Sequence, residues 1–303
     1  ASLSGLPNMH NGFDLPLPGF IYVGRPHVYW DMPEGISELE FSAQLAKELE
    51  DRIVAEGPDT IAAFIAEPVM GAGGVIPPPE GYFDAIIPVL RKYDVLFIAD
   101  EVICGFGRLG KAFGSELYDM QPDLMTLAKG LTSGYVPMSA CLISDEIYEV
   151  LKEGSSEMGP FAHGYTYTAH PLCAAVALKN LEIMEREDLF GNAAVVGEYL
   201  QARLREEFSD HPFIGDVRGV GLVAGVELIL DKSAKTPFDL SDGIAKKLHY
   251  YMLERGLISR PVMNTLALAP PLIITKGDVD TIVETFQSAL DYLERELVAG
   301  VQQ

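Results

Sequence analysis

Apolar residues recur at helix or strand spacing along most of the chain. Phe41, Leu45, Leu49 and Ile53 stand four apart among charged neighbours, which predicts a helix over about 40–56 with one buried stripe. Residues 61–66 read as a buried strand. A helical stretch over about 82–92 precedes Asp94-Val95-Leu96-Phe97-Ile98-Ala99, a nearly continuous apolar run closing at Asp100 that has the character of a central parallel strand. Residues 124–128 and 138–143 give two further short strands, the second followed by a helix that starts near Asp145. From Pro171 to about Phe208 the pattern is helical, with an interruption expected around 188–192.

Beyond that point the texture changes. Residues 215–227 alternate glycine with valine and leucine, a helix is predicted over 241–254, and short strands are expected around Leu257 and Leu266. A final helix runs through Ile282, Phe286, Leu290, Leu293 and Leu297. The alternation of strands and helices predicts an α/β fold whose mostly parallel central sheet has helices on both faces, followed by a smaller C-terminal α+β domain. The boundary is placed near residue 189, giving a large domain over 1–188 and a small one over 189–303. In such sheets ligands gather outside the carboxyl ends of the strands, and both Asp100 and Lys129 fall at such ends.

Composition narrows the partners. The 303 residues carry 44 acidic and 22 basic side chains, a net charge of -22, and such a field repels nucleic-acid phosphates and anionic lipid surfaces. No apolar run reaches the ~20 residues that cross a bilayer, and the opening Ala1-Ser2-Leu3-Ser4-Gly5 lacks the basic and apolar regions of a signal peptide. Three scattered cysteines suggest neither a disulfide framework nor a zinc site, and the six histidines form no metal-like spacing, so no metal is expected and a reducing cytoplasm fits.

Lys129 in Leu127-Ala128-Lys129-Gly130 follows an apolar strand directly. Such a lysine is either a surface cap on a strand end or an amine poised to condense with a carbonyl cofactor. Asp100 has a matching pair of readings, as a local cap or ion-pair partner, or as the buried carboxylate that keeps a pyridine nitrogen protonated. Gly105-Phe106-Gly107-Arg108-Leu109-Gly110 spells G-x-G-x-x-G after a strand and raises a nicotinamide oxidoreductase. However, residues 111–122 show no amphipathic helix and end in proline, so the dinucleotide context is absent.

Four motifs taken together resemble the class III aminotransferases, which are fold-type I enzymes dependent on pyridoxal 5'-phosphate (PLP). They are Glu67-Pro68-Val69-Met70-Gly71, Asp100-Glu101-Val102 with Gly105-Phe106-Gly107-Arg108, Leu127-Ala128-Lys129-Gly130, and Gly164-Tyr165-Thr166-Tyr167-Thr168-Ala169-His170-Pro171. The resemblance extends over essentially the whole chain and is closest to ω-transaminases of the amine:pyruvate kind. It implies that Lys129 carries PLP as a Schiff base, that Asp100 pairs with the pyridinium nitrogen, and that Val102 packs on the ring face. By the same resemblance Thr166, with Tyr165 beside it, binds cofactor phosphate in the neighbouring subunit, which implies a homodimer or larger assembly with composite sites. Glu67 matches the family glutamate near the cofactor, with a structural role beside the glycine loop as the other reading. Arg260 in Ser259-Arg260-Pro261 matches the mobile arginine that grips a substrate carboxylate, with a plain surface arginine as the other reading.

The implied reaction moves an amino group from an amine or ω-amino acid to an oxo acid such as pyruvate. Decarboxylating and aminomutase relatives share the motifs, and a non-catalytic remnant of the fold is the third reading. The chain is expected to lack the family's N-terminal part, including a glycine/serine loop for the cofactor phosphate and an aromatic residue that stacks on the ring.

Overall fold

The computed structural model describes residues 1–301, with side chains described through Leu297. The chain divides into two compact units, residues 1–62 with 78–95 and residues 63–77 with 96–303.

The framework of the first unit is α1 (Val28–Asp31), α2 (Glu38–Glu56) and α3 (Tyr82–Lys92). Ser37 and Glu40 start α2 with a reciprocal capping box, which satisfies two amides that a helix end leaves without partners. The stripe marked by the apolar spacing, Phe41, Leu45, Leu49 and Ile53, is the buried face of α2, and α2 packs against α3.

The second unit opens with β1 (Ala63–Ala66), β2 (Leu96–Asp100), β3 (Leu124–Leu127) and β4 (Ala140–Ile143), hydrogen-bonded in that order. β1 starts two residues later than its apolar run, because Pro58–Thr60 forms a 3-10 turn closed by the Ile61 amide. The pairings β1–β2 and β2–β3 are parallel, whereas β3–β4 is antiparallel. A parallel neighbour needs a crossover, usually helical. Between β3 and β4 the chain has only the one-turn 3-10 helix Lys129–Leu131 and a loop, so it returns in the opposite direction.

After α4 (Gly114–Leu117) in the β2–β3 connection, the longer helices are α5 (Asp145–Met158), capped by the Ser144 hydroxyl, and α6 (Pro171–Arg186). α7 (Leu189–Phe208) follows almost at once, and the expected break around 188–192 contracts to the left-handed Asp188, whose carboxylate caps the Gly191 amide. The 189 boundary falls at the start of α7. Thereafter β5 (Ile214–Val220) and β6 (Val223–Leu228) form a hairpin in a second, antiparallel sheet of order β5-β6-β8-β7. α8 (Ile244–Leu253), β7 (Arg260–Val262), β8 (Thr265–Leu268) and α9 (Lys276–Val301) complete the chain.

Leu257 was expected in a strand and lies in the loop after α8. The two-residue turn Met263-Asn264 pairs Val262 with Thr265, and that register starts β7 only at Arg260. One core, with Leu200, Leu204, Phe208, Leu228, Leu248, Phe286 and Leu290 at its centre, joins α7, the second sheet, α8 and α9. Among the described residues no helix is long and apolar enough to cross a membrane.

Candidate active site

Three neighbouring strand ends assemble the site. In the ladder Ala66 lies opposite Ala99, and Asp100 lies opposite Thr126. Glu67 therefore continues β1 beside Asp100, and Lys129 follows β3 three residues past Thr126. Strands in a ladder lie about 4.8 Å apart, so residues far apart in sequence meet along one edge.

Each carboxylate at this edge is held differently. Oδ1 of Asp100 accepts from the Val102 amide at 3.1 Å and from the Thr126 hydroxyl at 3.2 Å, while Oδ2 takes no hydrogen bond among the described residues. Oε2 of Glu67 accepts from the Gly71 amide at 2.8 Å. Burial pushes the Glu67 carboxyl up from 4.5 to about 7; the Gly71 bond opposes that rise, the Asp100 charge adds to it and the Lys129 ammonium counters it. The charges of Asp100 and Lys129 thus both lie within electrostatic reach of Glu67.

Lys129 opens the 3-10 turn with φ +44°, a left-handed conformation that L residues with a long side chain rarely adopt. Its side chain is exposed, and its amine takes no hydrogen bond or ion pair among the described residues. Gly130 follows because a Cβ there would lie 2.9 Å from Cβ of Phe106. Val102 is half-buried in the turn after β2.

Tyr165 and Thr166 lie elsewhere, in the exposed turns that precede α6. The Tyr165 amide donates to the Thr168 hydroxyl at 2.9 Å, and no hydrogen bond or ion pair among the described residues joins this loop to the Asp100–Lys129 edge. Arg260 is the exposed first residue of β7, opposite Ala267, and its guanidinium is unpaired among the described residues. The chain thus brings Glu67, Asp100, Val102 and Lys129 to neighbouring strand ends, and no hydrogen bond or ion pair among the described residues links Thr166, Tyr165 or Arg260 to them.

The glycine run after β2 serves packing. A Cβ at Gly105 would lie 2.9 Å from the Glu101 carbonyl, and one at Gly110, where φ is +85°, would lie 2.9 Å from Cα of Ala194. The only helix between this run and β3 is the single turn α4, so no long helix presents its amino end to a pyrophosphate. Within the run, Arg108 donates to the carbonyls of Leu222 and Pro270 at 2.8 and 2.5 Å.

Two residues missed in the sequence contribute here. Thr126 is a hydroxyl inside the apolar run Leu124–Leu127, and it bonds Asp100 across the ladder. Asn180 on α6 hydrogen-bonds the turn that Lys129 opens, through Gly130 and Leu131. The available signal was a polar residue in an apolar strand and an amide on the buried side of a helix.

Residues 2–290 match the family model described as Aminotransferase class-III. The chain belongs to this family. Class-III relatives include a diaminobutyrate–2-oxoglutarate transaminase of Halomonas elongata, 49% identical over 97% of this chain and 65% of that protein. Among solved structures, an ω-transaminase of Pseudomonas jessenii in complex with PMP is 49% identical with a TM-score of 0.93, over 96% of this chain and 64% of that one. A transaminase with L-alanine is 50% identical with a TM-score of 0.95, over 98% and 70%. The chain therefore spans about 65% of the length of the curated relative it matches.

The architecture is the α/β transaminase fold, fold type I, and the cofactor of class-III aminotransferases is PLP. The residues fit it. PLP calls for a primary amine to receive its aldehyde and a carboxylate oxygen to face its ring nitrogen; Lys129 Nζ is an unengaged amine at this edge, and Asp100 Oδ2 is an unengaged oxygen of a carboxylate whose other oxygen is held.

Proposed function

We propose that the chain forms the cofactor-binding part of an aminotransferase that moves an amino group from an amine or ω-amino acid to an oxo acid such as pyruvate. The observation that carries this reading is that adjacent parallel strands end at Asp100, with one carboxylate oxygen unengaged, and two residues before Lys129, whose unengaged amine lies, like Asp100, within electrostatic reach of Glu67. Diaminobutyrate, in the name of one relative, has an amine remote from its carboxylate, which supports an ω-amino donor. L-Alanine, present in one solved relative, is the amino counterpart of pyruvate, which supports that acceptor.

When bound, PLP supplies an aldehyde for amines and a protonated ring that draws electrons from a breaking C–H bond. Lys129 would contribute the amine that holds the aldehyde, and the same amine would move a proton at the substrate carbon. Asp100, fixed through Oδ1, would offer Oδ2 to the ring nitrogen and keep it protonated. Val102 backs the ring. Glu67, which titrates near neutrality, adjusts the charge at this edge with pH. Arg260 grips the carboxylate of the oxo acid as a bidentate partner. Thr166 and Tyr165, on an exposed loop, serve the phosphate of the site in a second copy, so the working unit is a homodimer.

The test is a PLP titration of the folded chain followed by borohydride reduction and peptide mapping. The label is expected on Lys129 and is absent from Lys129→Ala. With cofactor and an ω-amine, loss of amine should depend on pyruvate and release no carbon dioxide. A folded chain without saturable PLP binding overturns the proposal.

A further inference from the structure

Asn180 occupies an unusual place for its side chain. It lies on the same face of α6 as the buried Ala177 and Met184, which pack with Phe106, Leu127 and Leu131. Asparagine is a poor helix former, and a carboxamide in an apolar seam is tolerated only when its groups are bonded. Here they are. Nδ2 donates to the Gly130 carbonyl at 2.8 Å and the Leu131 carbonyl at 3.1 Å, and Oδ1 accepts from the Ser133 hydroxyl at 2.8 Å.

All three bonds go to the four residues that follow Lys129. That lysine has φ +44°, a conformation that persists only where the surroundings hold it. Gly130 is wedged against Phe106 from one side, while Asn180 draws two consecutive carbonyls toward α6. Without the amide the Gly130 and Leu131 carbonyls lose these bonds, and the backbone is free to relax toward a right-handed φ at Lys129. Such a relaxation would redirect the side chain of Lys129 away from its place at the end of β3.

We propose that Asn180 is a positioning residue for Lys129, its carboxamide holding the Gly130–Ser133 turn so that the lysine amine stands free beside Asp100. The inference rests on the reading of Lys129 as the amine that receives PLP.

The experiment compares the parent chain with Asn180→Asp and Ser133→Ala. Asn180→Asp keeps the shape and the acceptor but loses both donors. Ser133→Ala leaves the donors and removes only the anchor of Oδ1, and it keeps the test open should the first variant fail to fold. Each chain is mixed with PLP and quenched over time with borohydride. Condensation of the Lys129 amine with the aldehyde releases one water, and hydride delivered to the resulting C=N bond leaves a secondary amine that peptide mapping detects. The rate at Lys129 is normalised to that at Lys47 and Lys247, lysines distant in sequence, and unfolding temperatures are measured in parallel. Loss of two bonds of ordinary strength should slow labelling of Lys129 about thirty-fold in Asn180→Asp, and loss of the anchor at most about five-fold in Ser133→Ala. Labelling of the reference lysines should stay unchanged. Parental labelling of Lys129 in both variants overturns the inference, as does a fall shared by all lysines. A parent chain that is not labelled at Lys129 overturns the PLP reading itself, and this inference with it.

Discussion

Glu67→Gln offers a direct physical test of the strand-end cluster, because it changes charge and almost nothing else. The Gly71 amide that donates to Oε2 at 2.8 Å finds the amide oxygen of glutamine in the same place. In the parent, burial and the Asp100 charge raise the Glu67 carboxyl from 4.5 to about 7. The folded chain therefore keeps a proton that the unfolded chain releases between those two values. The stabilisation linked to that proton is complete below pH 4.5 and is lost as the pH rises through 7. At about 1.4 kcal/mol per pH unit the span corresponds to ~3 kcal/mol, and the solvent that still reaches this half-buried side chain reduces it to ~2 kcal/mol. Glutamine does not titrate, so the variant lacks this slope.

Urea unfolding followed by far-ultraviolet circular dichroism at pH 5, 6, 7 and 8, in the absence of PLP, measures the difference between the two chains. Other carboxylates titrate alike in both and cancel. Relative to its standing at pH 5, Glu67→Gln should gain ~2 kcal/mol on the parent by pH 8, with most of the change between pH 5 and 7. A difference that is flat with pH would refute the reasoning, since the carboxyl would then titrate alike in folded and unfolded chains. A change of opposite sign would mean that Lys129 and the Gly71 amide together outweigh desolvation.

Three further outcomes follow from the same geometry. Lys129→Gly should be more stable than Lys129→Ala by about 1 kcal/mol in urea unfolding, because only glycine accepts φ +44° without steric cost; equal stabilities would show that the left-handed backbone is not retained. Thr126→Val removes the 3.2 Å bond to Asp100 and should weaken PLP binding, read by absorbance titration, about five-fold for a bond near 1 kcal/mol; the effect should vanish in an Asp100→Asn background, and an undiminished effect there would show that Thr126 does not act through Asp100. Gly110→Ala forces a Cβ to within 2.9 Å of the Ala194 backbone at φ +85° and should cost about 2 kcal/mol of stability, whereas a neutral result would remove the packing explanation for the glycine run.

The local elements were legible because their causes are local. Phe41, Leu45, Leu49 and Ile53 marked the buried face of α2 by spacing alone, and the helical stretch expected over about 82–92 is α3. Direction and register were not legible in the same way. Nothing within 138–143 says that β4 runs antiparallel, since that follows from the short return after β3. The hairpin register that starts β7 at Arg260 instead of near Leu257 depends on a turn with Met263 at φ +51°, a conformation no pattern of apolar residues encodes. Lys129 and Asp100 were readable as motif residues, but Thr126 and Asn180 were not, because their roles arise from pairings 26 and 50 residues away along the chain.

Asp100 and Glu101 are adjacent acids whose environments separate their roles. Successive residues on an extended chain point to opposite sides, and the two carboxylates meet different neighbours. Both oxygens of Glu101 are consumed, Oε2 by the Gly114 amide at 2.9 Å and Oε1 by the Ser115 amide at 2.5 Å. Glu101 is fully buried, and burial pushes its carboxyl up against the pull of those two amides. It is thus committed to fixing the start of α4, and so the path of the chain from β2 back to β3. That path sets the register in which Thr126 reaches Asp100. Asp100 in turn has one oxygen held by its own chain and one free, the condition for a carboxylate that is aimed yet still available to a ligand. An acid with both oxygens satisfied builds the scaffold, whereas an acid held by one oxygen keeps the other available.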